Sequence, residues 1–203
     1  MPAPYDIAER HAAVVGAGPR IAPLADGEMD GEVRALVDQV RLSAGSGPAT
    51  EVPEYMRTMA RHPALFRCQM EMGTVLFTGL LPPRERELAV LRIAWLTGAP
   101  YEWGEHVRIA RRHGVTAGEI EQVTQGWAAP GWTEHEAAIL RGVEELIADH
   151  AMTDASWTVL ARTWSEAQLI EFPSMVGQYV VTAYIQNSLK VRLAKDNEGL
   201  AKR

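Results

Sequence analysis

Glu87, Glu102 and His106 fall within residues 81–114, LPPRERELAVLRIAWLTGAPYEWGEHVRIARRHG, and together form a proton-transfer set in an apolar frame. Glu102 and His106 are four residues apart. On a helix that spacing puts both side chains on one face about one turn apart, close enough to share a hydrogen bond or a ligand. Glu87 must come from the neighbouring helix. An imidazole titrates near about 6.5 in water, so His106 can both give and take a proton around neutrality. A carboxylate from Glu87 on one ring nitrogen fixes the tautomer and leaves the other nitrogen to a substrate. Glu102, flanked by Tyr101 and Trp103, has surroundings that raise a carboxyl pKa and suit a proton donor or base. Which of Glu102 and His106 takes the first step stays open at this level. The same trio could form a metal site of two carboxylates and one histidine. Zinc and iron sites usually draw on more His or Cys, and His113 lies seven residues beyond His106. No metal and no cofactor is expected.

The elements that must position these groups are helical almost throughout. Pro82 and Pro83 suit the first turn of a helix whose apolar face is Leu88, Leu91, Ile93, Trp95 and Leu96, until Gly98 and Pro100 interrupt it. A second helix starts near Pro100 and stops at Gly114. Upstream, residues 1–27 read as an irregular N-terminal arm, and residues 28–203 as one all-helical domain. Met29, Val33, Leu36, Val37 and Val40 recur at helical spacing. A Gly-, Ser- and Pro-rich loop over 44–52 leads to a short segment near 55–60, and Pro63 opens a helix closed by Gly79. Thr116 with Glu119, Thr133 with Glu136, and Ser165 with Gln168 have capping-box spacing and mark three helix starts. Pro173 is expected to end a short turn begun at Ser165 and to open a last helix through Leu193. Residues 179–185, YVVTAYI, could pass for a strand, but their flanks continue at helical steps.

Glu87-Leu88-x-x-Leu91-Arg92, then Tyr101-Glu102-Trp103-x-x-His106, then Ile109-Ala110 and Gly114, resembles the signature of the carboxymuconolactone decarboxylase family, which also contains alkyl hydroperoxidase D. The resemblance implies an all-α helical bundle of that type, here with extra helices at both ends. It also implies catalytic roles for Glu87, Glu102 and His106, and oligomers, trimers or hexamers, whose apolar faces are completed by neighbours. Substrate contacts fall to Tyr101 and Trp103, and to Arg92, which matches the family's arginine and would hold a carboxylate or else form a buried salt bridge between helices. The hydroperoxidase branch carries two cysteines where this chain has Ala99 and Glu102. Peroxide reduction needs an attacking thiolate and a resolving thiol, and Cys68, on another segment, is the chain's one cysteine. It reads as a small core residue.

A net charge of −6 argues against non-specific nucleic-acid binding, and the short basic cluster Arg108, Arg111 and Arg112 reads as a solvated helix face. No run reaches the roughly 20 apolar residues of a membrane span, no signal peptide is evident, and one cysteine cannot make an internal disulfide; a cytoplasmic place is expected. His135 and His150 read as surface residues. Trp95, Trp103, Trp127 and Trp132 cluster around the hairpin as pocket lining for some and core for at least Trp95. The sequence thus points to a cofactor-free acid–base enzyme, lyase-like, acting on a small carbonyl, lactone or activated carboxylic acid. The alternatives are a non-catalytic oligomeric binding protein or, more remotely, a peroxidase using a partner's cysteine. Three ionisable groups converging in an apolar cavity are costly unless used, which favours the enzyme.

Overall fold

Residues 81–114 form the centre of the molecule in the computed structural model, which describes residues 5–43 and 52–203 of the chain. Ten α-helices and two single 3-10 turns, with no strand, make up the described residues. They are α1 (Ile7–Val14), α2 (Gly31–Ser43), α3 (Glu54–Met59), α4 (Pro63–Phe77), α5 (Pro83–Leu96), α6 (Pro100–Arg112), α7 (Ala117–Gln125), α8 (Glu134–Asp149), α9 (Asp154–Leu160) and α10 (Glu166–Leu189). The 3-10 turns are Asp26–Glu28 and Gly199–Ala201. The loop expected over 44–52 lies, up to residue 51, outside the described residues. No helix among the described residues is long and apolar enough to cross a membrane.

Helix α5 is the axis of the bundle. Every residue from Arg86 to Trp95 is buried, so the helix is enclosed all round rather than amphipathic. Ala89, Val90 and Ile93 pack into one core with α8, α9 and α10, through Ile139, Val143, Leu160, Phe172 and Met175. Leu88, Leu91, Ala94 and Trp95 pack into a second core with α6 and α7, through Trp103, Val107, Ile120 and Val123. A third core gathers α2, α3 and α4 around Val37, Met59 and Phe66. The polar side chains of Arg86, Glu87 and Arg92 are shut off from solvent and must find partners inside.

The turn between α5 and α6 is clamped from both ends of the chain. Gly98 sits at φ +55°, a left-handed conformation that favours glycine. Arg10 of α1 donates to the Gly98 carbonyl at 2.9 Å and to that of Thr97 at 2.8 Å, and the Tyr5 hydroxyl donates to the Trp95 carbonyl. From the C-terminal end, Asn197 donates to the Tyr101 carbonyl at 2.9 Å and lies flat against Gly104. Trp103 Nε1 donates to the Lys202 carbonyl at 2.9 Å. The terminal segments therefore fix the register of α6 against α5, and with it the distance from Glu87 to His106.

Several expectations change. The arm over residues 1–27 is not irregular throughout: Asp6 accepts from the Glu9 backbone N–H at 2.8 Å and starts α1. Pro173 lies inside one continuous helix, α10, because Leu169, Phe172, Met175 and Val176 on both sides of it are locked in the first core. That helix ends at Leu189, where Lys190 turns left-handed at φ +54°, and does not reach Leu193. Cys68 is exposed, since Phe66, Gln69 and Met70 take the buried face of α4. Helix α9, started by Thr153, had no place in the sequence reading. All three capping boxes form as spaced, at Thr116, Thr133 and Ser165.

Candidate active site

Glu87 leaves the fully buried helix α5 toward α6, where its Oε2 meets His106 Nδ1 at 2.7 Å. Its other oxygen accepts from Arg86 Nε at 2.9 Å, and the Arg86 guanidinium is itself held by the Phe77 carbonyl and by that residue's ring, 4.1 Å away. Burial alone would raise the Glu87 carboxyl, yet His106 and then Arg86 outweigh it and hold the group below the usual carboxylate range. An ionised Glu87 can only accept, so the Nδ1 proton of His106 points at it and Nε2 is left free. Among the described residues the ring's one hydrogen bond is that to Glu87, through Nδ1. The ring is steadied by Tyr179 of α10, edge-on at 5.1 Å between centroids.

Glu102 behaves differently although it shares the α6 face with His106. It is 2% exposed, and neither carboxyl oxygen has a hydrogen-bond partner. Burial pushes its pKa well above the usual range, so the acid form persists where other glutamates are ionised. The hydrogen bond that the i, i+4 spacing would allow between Glu102 and His106 does not form. One turn of one helix thus carries an imidazole held by an ionised carboxylate and a neutral carboxylic acid, a division of labour suited to base and acid.

Both groups open on a cavity of about 250 Å³ between α3, α4, α6 and α10. Met56, Met70, Phe77 and Ile109 give it apolar walls, and Tyr55, Gln69, Tyr101, Gln178, Thr182 and Gln186 add polar atoms. Three of these, the Tyr55 hydroxyl, Gln69 Oε1 and Gln186 Oε1, are buried without a partner, as is the Glu102 carboxyl. Unpaired buried polar atoms are rare, and their convergence on one cavity makes it the candidate ligand site. The sequence reading named Glu102 and Tyr101 and missed Tyr55, Gln69, Gln178, Thr182 and Gln186. A usable signal was present in α10, where Gln178, Thr182 and Gln186 recur every fourth residue in the mainly apolar run from Met175 to Gln186.

Of the six candidate site residues, the structure brings Glu87, Glu102, His106 and Tyr101 together and leaves Arg92 and Trp103 elsewhere. Arg92 donates to Glu144 at 3.0 Å and to the carbonyls of Val123 and Thr124 at 2.9 and 3.0 Å, tying α5 to α7 and α8. Trp103 belongs to the second core, and none of Trp95, Trp103, Trp127 and Trp132 lines the cavity. His135 is tied to Glu85 at 3.2 Å and to Thr163 at 3.1 Å, away from the cavity. Among the described residues no group of three or more His, Cys, Asp or Glu is placed to hold a metal ion.

Residues 63–145 match the model of the carboxymuconolactone decarboxylase family. No curated protein sequence matches the chain. Among solved structures, the debrominase Bmp8 superposes with a TM-score of 0.72 at 15% identity, covering 88% of this chain and 94% of its own. An uncharacterized peroxidase-related protein with an alkylhydroperoxidase AhpD core, from Ralstonia eutropha, gives 0.74 at 18% identity, covering 88% and 93%. A peroxidase-related protein from Silicibacter gives 0.69 at 13%, covering 88% and 95%. At such identities the likeness is one of fold.

Proposed function

From the site geometry and the match of residues 63–145 to the carboxymuconolactone decarboxylase family model, we propose that the chain is a cofactor-independent acid–base enzyme, lyase-like, acting on a small carbonyl, lactone or activated carboxylic acid. The observation that carries this reading is the pairing of His106, held through Nδ1 by ionised Glu87, with the neutral, unpartnered acid Glu102 on the same cavity. His106 Nε2 takes a proton from the carbon next to a carbonyl, or returns one to it. Glu102 gives its hydrogen bond, and then its proton, to the oxygen on which negative charge develops. Glu87, itself held ionised by Arg86, keeps the imidazole in place and stabilises its cationic form. Tyr101 borders the substrate. The reading takes the protein as cytoplasmic and as a homo-oligomer, trimer or hexamer, associating through apolar side chains left exposed on α4 and α10 such as Val75, Ile170 and Tyr184.

Thiol peroxide chemistry fits the residues poorly, because Ala99 and Glu102 occupy the thiol positions and Cys68 is exposed on α4 outside the cavity. The deciding experiment incubates the protein in D₂O with small ketones and lactones and follows deuterium entry at carbon by NMR. His106→Ala should lower exchange by about 100-fold or more while the fold is kept. Undiminished exchange in a folded His106→Ala protein would reject the assignment of the base, and no exchange above background in the wild type would leave a non-catalytic binding protein ahead.

A further inference from the structure

The walls of the cavity carry no lysine or arginine among their described residues. Arg92, the residue expected to hold a substrate carboxylate, is committed to Glu144 and two backbone carbonyls. Arg86 stands behind Glu87 rather than in the wall. Glu105 adds a carboxylate to the lining, bonded to Arg108 and Asn197. His106 is the only one of these lining groups that can become cationic. An anion bound there would meet no lysine or arginine in the described lining and would stand against the Glu105 carboxylate.

The orphaned polar atoms state the complementary requirement. Thr182 donates its hydroxyl proton to the Gln178 carbonyl at 3.0 Å, so its oxygen can only accept from Gln69. Gln69 accordingly turns Nε2 to Thr182 at 3.4 Å and leaves Oε1, buried and unpaired, to the cavity. The Tyr55 hydroxyl stands beside Gln69 and Thr182, so this corner presents oxygens of Gln69 and Tyr55 to an incoming donor, while the Glu102 acid proton needs an acceptor. An apolar cavity of about 150 Å³ holds benzene; the 250 Å³ here has room for a substituted ring between Met70 and Phe77.

Taking the cavity as the active site proposed above, we propose that its substrate is an uncharged small molecule with a hydroxyl or N–H donor beside a carbonyl oxygen, and not a carboxylate anion. The donor meets Gln69 Oε1 and the carbonyl meets Glu102. Proton transfer at carbon then takes precedence over loss of carbon dioxide. His106 Nε2 takes the proton from the carbon next to the carbonyl, the C–H electron pair becomes the enol double bond, and the carbonyl oxygen takes the Glu102 proton. Return of the His106 proton to carbon and of the hydroxyl proton to Glu102 restores both groups.

The test uses three ring probes of similar size, 2-pyridone, N-methyl-2-pyridone and benzoate, titrated into the full chain at pH 7 and 8 and followed by ligand-observed NMR. 2-Pyridone should bind about 3- to 10-fold more tightly than its N-methyl form. Gln69→Leu should erase that difference, and benzoate should bind at least 10-fold more weakly than 2-pyridone. Benzoate binding as tight as 2-pyridone, equal binding of the two pyridones, or no binding by either would overturn the proposal. The catalytic reading fails separately, on the exchange assay with His106→Ala, and probe binding is read without turnover.

Discussion

Replacing Glu102 by Gln keeps the shape of the side chain and removes one ionisable group from the interior. Burial raises the pKa of Glu102 in the folded protein, so the folded chain keeps a proton that the unfolded chain releases. The stability this proton lends is fully present below the unfolded carboxyl pKa and is lost as pH rises toward the folded one. Within that window one proton separates the two states, and stability falls by about 1.4 kcal/mol per pH unit. Glu102→Gln removes this slope, while the opposite contribution of Glu87, whose pKa is depressed, is common to both proteins and cancels in the difference. From pH 5 to 7 the variant should gain about 2.7 kcal/mol on the wild type, for as long as folded Glu102 keeps its proton. For a chain of this size that is roughly 5–10 °C in Tm. Urea unfolding at pH 5, 6 and 7, at one protein concentration and followed by circular dichroism and tryptophan fluorescence together, measures it. Parallel stability curves would show that Glu102 ionises as freely in the folded chain as in the unfolded one, and its role as the acid would fall with that result.

Glu87→Gln should lower turnover about 10- to 100-fold and move the acidic limb of the pH–rate profile to lower pH, since it removes the anion beside the imidazole; a superimposable profile contradicts the orienting role. In Gly104→Ala the new Cβ would lie 1.7 Å from Asn197 Oδ1 and push that side chain off the Tyr101 carbonyl. A loss of about 1–3 kcal/mol in thermal unfolding is expected, and an unchanged Tm would mean that the C-terminal segment does not fasten α6. Cys68→Ser, at an exposed position, should stay within about 0.5 kcal/mol of the wild type, and neither protein should consume peroxide with a dithiol reductant. Light scattering at micromolar concentration should give a trimer or hexamer, with Tyr184→Glu on the exposed face of α10 shifting it toward monomer; a monomeric wild type refutes the assembly.

Signals that act within a few residues of chain were legible in the sequence. Pro83, Gly98 and Pro100 fixed the ends of α5 and α6, three Thr or Ser caps fixed the starts of α7, α8 and α10, and helix geometry put Glu102 and His106 on one face. What those residues do depended on what stands opposite them, which no local signal encodes. Glu102 and His106 have spacing suited to a pair, yet α5 delivers Glu87 to the imidazole while α3, α4 and α10 surround the carboxyl of Glu102 and keep it neutral. Arg92 and Trp103 sit on the same hairpin as the site but face α7, α8 and the C-terminal segment, because each helix presents different residues to different neighbours. Pro173 carries a strong helix-ending tendency and still lies within α10, where buried side chains before and after it outweigh one missing backbone hydrogen bond. The sequence determined by itself the hairpin and the residue types able to move a proton, since helix pitch and capping are local. Tertiary packing alone decided which of those residues share a cavity, which of them stay charged, and that no lysine or arginine among the described residues lines it, since burial and partner choice arise only when distant helices close around one space.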